Sequence, residues 1–126
     1  MIYVIDTSVV LAILFDEPGS KEASKVIAGS LMSNVNLSEV LTKCIENAAS
    51  AEFAETQVLR LGVELVPFTA EDAMAAAKLR PLTRHRGLSM GDRACLALAL
   101  RYNQPVLTAD RQWAELDVDV DVCLIR

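Results

Sequence analysis

The sequence predicts one α/β domain over residues 1–126: a mostly parallel sheet of about four or five strands with helices on both faces. Two observations point there. Short apolar, β-branched runs that stop at Asp, Thr or Ser alternate with stretches of helical periodicity along the whole chain, the order that strand–helix–strand units generate. The 126 residues, 52% of them apolar and 23% charged, are also enough for one core, short for two, and unlike a disordered segment.

Taken in order, Ile2-Tyr3-Val4-Ile5 is an uninterrupted apolar run that ends at Asp6-Thr7-Ser8, as a strand buried on both faces does when it enters a turn. Any of those three polar residues can cap a helix over Val9 to Phe15, which Asp16-Glu17-Pro18-Gly19 breaks. Ser20 to Ala28 carries Ala23, Val26 and Ile27 at helical spacing. A short strand around Leu31 and Met32 leads to Asn36, after which Leu37, Val40, Leu41, Cys44, Ile45 and Ala48 mark one helix face. Phe53 to Leu61 reads as a helix stopped by Gly62, and Val63 to Val66 as a strand ended by Pro67. Thr69 caps the next helix, Glu71 and Asp72 sit in its first turn, and Arg80-Pro81 should end it. Ser89-Met90-Gly91-Asp92 opens the most apolar helix, which runs to Tyr102. Asn103-Gln104-Pro105 ends it before the strand Val106-Leu107-Thr108, and Asp110 follows at once. Trp113 and Leu116 suit a short helix, and Val118, Val120 and Val122, alternating with Asp117, Asp119 and Asp121, predict a last half-exposed strand.

Composition narrows the chemistry. The apolar stretch Thr7 to Phe15 is closed by Asp6 and Asp16, far short of the ~20 residues of a membrane span. No Lys or Arg precedes it as a secretory signal would require, so a cytoplasmic protein without membrane association is expected. Cys44, Cys95 and Cys123 are odd in number and set among Leu, Ile and Val, which predicts reduced core residues rather than a disulfide or zinc scaffold. A single histidine, His85, supplies neither a zinc shell nor a Ser-His-Asp triad. Any chemistry must therefore be carboxylate chemistry.

The net charge of −5 argues at first against a polyanionic partner. Yet taking four of the 17 acids out of the count, as one cation pocket would, leaves 13 against 12 bases, a surface near −1. The segment from Lys78 to Arg93 is locally basic, with Asp92 its only acid; Arg84 and Arg86 within it are candidates to grip the phosphates of a polyanion, against the plainer reading of a solvated loop.

Four acids fall where open parallel sheets bind ligands, beyond the carboxyl ends of strands. Asp6 follows the first strand, Glu39 opens the helix after the second, Asp92 starts the long apolar helix, and Asp110 lies just past the strand ending at Thr108. Each has an innocent explanation alone. Asp6 and Asp110 can be caps, Asp92 the capping-box partner of Ser89, and Glu39 a partner of Asn36 or of Lys43 four residues on. Together, converging carboxylates would repel one another and protonate unless a cation neutralised them. Oxygen ligands without His or Cys select Mg²⁺, with Mn²⁺ as a substitute, and such a site suits phosphodiester hydrolysis.

Those fragments resemble the PIN domain family, and within it the VapC-type ribonuclease toxins of toxin–antitoxin pairs. The resemblance rests on Val4-Ile5-Asp6-Thr7-Ser8-Val9-Val10, Glu17-Pro18, Asn36-Leu37-Ser38-Glu39-Val40-Leu41, Leu88-Ser89-Met90-Gly91-Asp92-Arg93-Ala94-Cys95-Leu96-Ala97 and Val106-Leu107-Thr108-Ala109-Asp110-Arg111, in this order across nearly the whole chain. It implies that Asp6, Glu39, Asp92 and Asp110 form an acidic catalytic pocket, with Asp6 and Asp92 the foremost Mg²⁺ ligands, and that Thr7 or Ser8 braces the first carboxylate. It also implies Mg²⁺-dependent endoribonuclease activity, a homodimer, and a VapB-like antitoxin that blocks the site, for which an arginine mimicking the cation would serve. The acidic alternation near the C-terminus is less typical of the family.

Rival readings fare worse. A phosphate-accepting receiver domain needs a paired acid near the first strand and a lysine by the last strands, where Thr108-Ala109-Asp110 stand instead. A haloacid-dehalogenase-like phosphatase needs a second aspartate where Ser8 sits. No Gly-rich nucleotide motif occurs. The remaining alternative is a catalytically silent PIN-like module that binds RNA or protein without turnover.

Overall fold

The centre of the sheet is only two residues long. In the computed structural model, which describes residues 1–126, β1 (Val4–Ile5) lies between β2 (Leu31–Ser33) and β4 (Val106–Thr108), and β3 (Glu64–Val66) and β5 (Val122–Leu124) form the edges. The order is β3-β2-β1-β4-β5 and every pairing is parallel, with Val4 opposite Leu31 and Val106, and Ile5 opposite Leu107. Because strand side chains alternate between faces, Val4, Leu31 and Val106 enter one core while Ile5, Met32 and Leu107 enter the other.

Helices cover both faces, as the sequence predicts. On one side α1 (Thr7–Leu14), α2 (Ser20–Val26), α3 (Asn34–Glu46) and α4 (Ala51–Arg60) bury Val9, Val10, Ala12, Ala23, Val40, Ala54 and Val58 against the sheet. On the other, α5 (Ala70–Thr83) and α6 (Met90–Tyr102) do so with Ala76, Leu79 and the run Cys95–Ala99, joined by the fully buried Trp113. No helix is long and apolar enough to cross a membrane.

Three local expectations need correction. The alternating segment Asp117 to Asp121 is not strand: β5 begins only at Val122, because β4 begins at Val106 and offers the earlier residues no neighbour in register. Val118 and Val120 still pack on the core, so their alternation reports burial rather than pairing. Pro81 does not end α5, which continues to Thr83. A proline in the last turn removes only one backbone bond there, and the Thr83 hydroxyl donates to the Leu79 carbonyl at 2.9 Å to close that turn. Of the cysteines, all of them free, Cys44 and Cys95 are buried, but Cys123 is only half-buried on the edge strand.

Candidate active site

β1 sits where the chain's connections reverse direction, since β2 and β3 extend to one side of it and β4 and β5 to the other. The carboxyl ends of β1 and β4 therefore flank the crevice where open α/β sheets place ligands. Asp6, Thr7, Ser8, Leu11, Glu39, Lys43, Asp92 and Asp110 line one open pocket there, of about 310 Å³. The four acids that the sequence singles out thus come to one place from the ends of two strands, the first turn of α6 (Asp92) and the second turn of α3 (Glu39), which starts at Asn34 and so earlier than a helix opened by Glu39. Arg84 and Arg86 do not line it. They form a 3-10 turn after α5, in which Arg86 is paired with Glu115 at 2.7 Å.

Asp6 occupies the N-cap position of α1 but its side chain caps nothing. Its Oδ2 instead accepts from Ser8 Oγ at 2.7 Å and from Thr108 Oγ1 at 2.9 Å, and the Ala109 N–H fixes Ser8 Oγ in turn at 2.9 Å. Ser8 therefore braces the first carboxylate as expected, while the Thr7 hydroxyl serves a different one. Thr7 Oγ1 donates to Glu39 Oε1 at 2.6 Å, and Asn36 Nδ2 donates to the same oxygen at 3.0 Å. Asn36, fully buried, also reaches the Gly91 carbonyl at 3.0 Å and so ties α3 to the first turn of α6.

Asp92 keeps the innocent role the sequence allows. Its Oδ2 accepts from the Ser89 N–H at 2.9 Å while Ser89 Oγ accepts from the Asp92 N–H, a complete capping box. Asp110 likewise caps its own turn through Oδ1, with Gln112 N–H at 3.0 Å. Capping and site membership are compatible, because each use occupies one oxygen. Glu39, Asp92 and Asp110 each retain a second oxygen with no hydrogen bond.

The electrostatics agree with convergence. Burial pushes Asp6 up from 3.8 to about 6, and the charge of Asp92 adds to that rise against the lowering hydrogen bonds of Ser8 and Thr108. Asp92 is also raised, first by burial and further by Glu39 and Asp110, against its Ser89 bonds. The Cys95 thiol beneath is raised well above its usual value by burial and by the charges of Asp6, Asp92 and Glu39 together.

The residues fit a small hard cation. The acids do not close into a cage of three ligands around one point. Mg²⁺ needs no such cage, since it takes one or two carboxylates and fills its shell with waters and phosphate oxygens. Room for Glu39 beside Asp92 depends on Gly91, where any Cβ would overlap the Glu39 carboxylate. Sequence pattern singles out neither Gly91 nor Asn36, Thr108 and Lys43 as site residues. The available signals are weak ones: a glycine inside a helical first turn where it is unfavourable, an amide three residues before Glu39, and a hydroxyl two before Asp110.

Comparison with known proteins bears on the family and the fold. A family model described as PIN domain matches residues 3–119. No curated protein matches the chain. Among solved structures the chain resembles a toxin–antitoxin complex from Klebsiella pneumoniae, at 15% identity and a TM-score of 0.75 over 97% of this chain and 96% of that one. It also resembles FitAcB from Neisseria gonorrhoeae, at 22% identity and 0.70 over 97% and 96%. A third likeness is to VapBC-5 from Mycobacterium tuberculosis, a member of the VapBC family of toxin-antitoxin systems, at 28% identity and 0.61 over 99% and 98%.

Proposed function

The chain belongs to the PIN domain family, and from that premise we propose that it is a VapC-type toxin, an Mg²⁺-dependent endoribonuclease that cleaves RNA phosphodiester bonds. The observation that carries this reading is the meeting of Asp6, Glu39, Asp92 and Asp110 in one open pocket, with Glu39, Asp92 and Asp110 each anchored through one oxygen and free at the other. Asp6 and Asp92 would hold the ion, and Glu39 and Asp110 would orient its waters. When bound, Mg²⁺ lowers the pKa of a water and offsets the charge that develops on the phosphate and leaving oxygens. The protein's own part is orientation. Ser8 and Thr108 fix Asp6, the Ser89 capping box fixes Asp92, and Thr7 and Asn36 aim Glu39. Glu39 Oε2 is then the oxygen available to accept the attacking water's proton as its oxygen bonds to phosphorus; the electron pair of the broken P–O bond stays on the leaving oxygen, which takes a proton from solvent.

The solved complexes it resembles support an antitoxin partner of VapB type, and an arginine from such a partner entering the pocket would oppose the same carboxylates. A homodimer and a cytoplasmic location belong to the same reading. Arg84 and Arg86 stand outside the pocket lining, so any RNA phosphates they contact lie away from the scissile one.

Total RNA incubated with the purified protein and mapped for new ends tests the reading. Cleavage is expected in Mg²⁺, none in EDTA, and a loss of at least about 10³-fold in Asp6→Asn and Asp92→Asn, each of which removes a carboxylate that would hold the cation whose charge stabilises the transition state. Undiminished cleavage by either variant would remove the site from the chemistry. RNA binding without cleavage by the parent would favour the silent module.

A further inference from the structure

Glu39 and Lys43 stand one turn apart on α3, the spacing and order at which a glutamate ordinarily pairs with a lysine. They do not pair. Thr7 and Asn36 hold Glu39 Oε1 and turn its carboxylate inward against Gly91, and Lys43 forms no ion pair with any acid of the chain. Lys43 nonetheless lines the same pocket as Asp6, Glu39, Asp92 and Asp110, and it is the one basic residue that does so. A cation that stands among four carboxylates without joining one is available to a ligand that brings its own negative charge.

We propose that Lys43 binds a non-bridging phosphate oxygen of the RNA strand lying across the carboxylate pocket. This rests on the nuclease reading of that pocket and names a substrate contact within it. The need is electrostatic: a phosphodiester approaching four acids is repelled, and an Mg²⁺ ion offsets only two of the charges. Lysine is a flexible point charge suited to phosphate rather than to bidentate carboxylate recognition. The arginines that could have served instead do not line the pocket: Arg86 is held by Glu115 and Arg84 lies in the same 3-10 turn. Lys43 is exposed on the surface of α3, so its replacement leaves the core untouched.

The test is binding of a short single-stranded RNA by the full chain, with Ca²⁺ in place of Mg²⁺ to prevent cleavage, across a salt series. Lys43→Ala is expected to bind about tenfold more weakly, as loss of a charged hydrogen bond does. Its log–log salt slope should be shallower by about 0.7, one phosphate contact fewer. Lys43→Arg should restore both and Lys43→Gln neither, while Mg²⁺ affinity by calorimetry stays at the parental value or tightens, because a like charge has gone. In cleavage assays the loss should enter KM as well as kcat. Parental affinity and slope in Lys43→Ala, with the parent still cleaving RNA, would overturn the role of Lys43 and leave the nuclease reading standing. Weakened Mg²⁺ affinity in that variant would overturn it too, by making Lys43 part of the ion site's support. A parent that neither binds nor cleaves RNA would overturn both.

Discussion

Asp6 shows how one side chain can serve two masters. Its position after β1 makes it the N-cap of α1, yet Ser8 and Thr108 draw its Oδ2 away from the helix and into the crevice. The folded protein holds it nearly dry, which raises its pKa from 3.8 to about 6. A carboxyl raised in the folded state favours folding in its neutral form, so this contribution is fully present below about pH 4 and is lost as pH rises through about 6. In EDTA the protein should therefore lose stability across that window, by on the order of 3 kcal/mol. Asp92, raised in the same direction, adds to the loss. Urea melts at several pH values would show this, and Asp6→Asn should flatten the profile; an equally steep profile in the variant would deny Asp6 the effect. Of the residues that brace the acids, Ser8 beside Asp6 and Asn36 three residues before Glu39 were legible, whereas the reach of Asn36 to the Gly91 carbonyl depends on the fold and no spacing encodes it.

At the scale of elements, the close approach of α3 and α6 builds the site. Asn36 bonds across to the Gly91 carbonyl, and Glu39 occupies the volume that a side chain at position 91 would fill. Gly91→Ala should leave the fold intact, since alanine is the better helix former by about 1 kcal/mol. Its methyl group would nevertheless displace Glu39 or part the two helices, and a displacement of that order costs about 10²-fold in cleavage. Circular dichroism melts beside cleavage rates check this, and full activity in Gly91→Ala would show that Glu39 needs no fixed position. The elements themselves were readable because periodicity and capping are local: the capping boxes at Thr69 and Ser89 form as their sequences allow. The extent of α5 past Pro81 and the late start of β5 were not, because each is set by a partner far along the chain or by one compensating hydroxyl.

For the whole molecule, the order β3-β2-β1-β4-β5 puts the reversal of direction at β1, and the crevice with it. It also separates the chain's charges by place: four acids face the crevice, with Lys43 the single base at its rim, and Arg86 is tied to Glu115 elsewhere. An ion that binds only where these acids meet stabilises the folded state by mass action. Mg²⁺ at roughly ten times its Kd should add about 1.4 kcal/mol at neutral pH. Thermal melts with and without Mg²⁺ measure it, and the gain should vanish in Asp92→Asn; the same gain in that variant would mean the ion binds somewhere else.

The sequence by itself determined the layered α/β class, the order of strands and helices, and the four acids, because each depends on short-range pattern: burial period, caps, and carboxylates at strand ends. Only the tertiary structure decided that the Thr7 hydroxyl serves Glu39 rather than Asp6, that Gly91 makes room for that carboxylate, and that Lys43 is left unpaired in the pocket. Those facts depend on which atoms from distant segments meet in three dimensions, and local propensity is blind to that meeting.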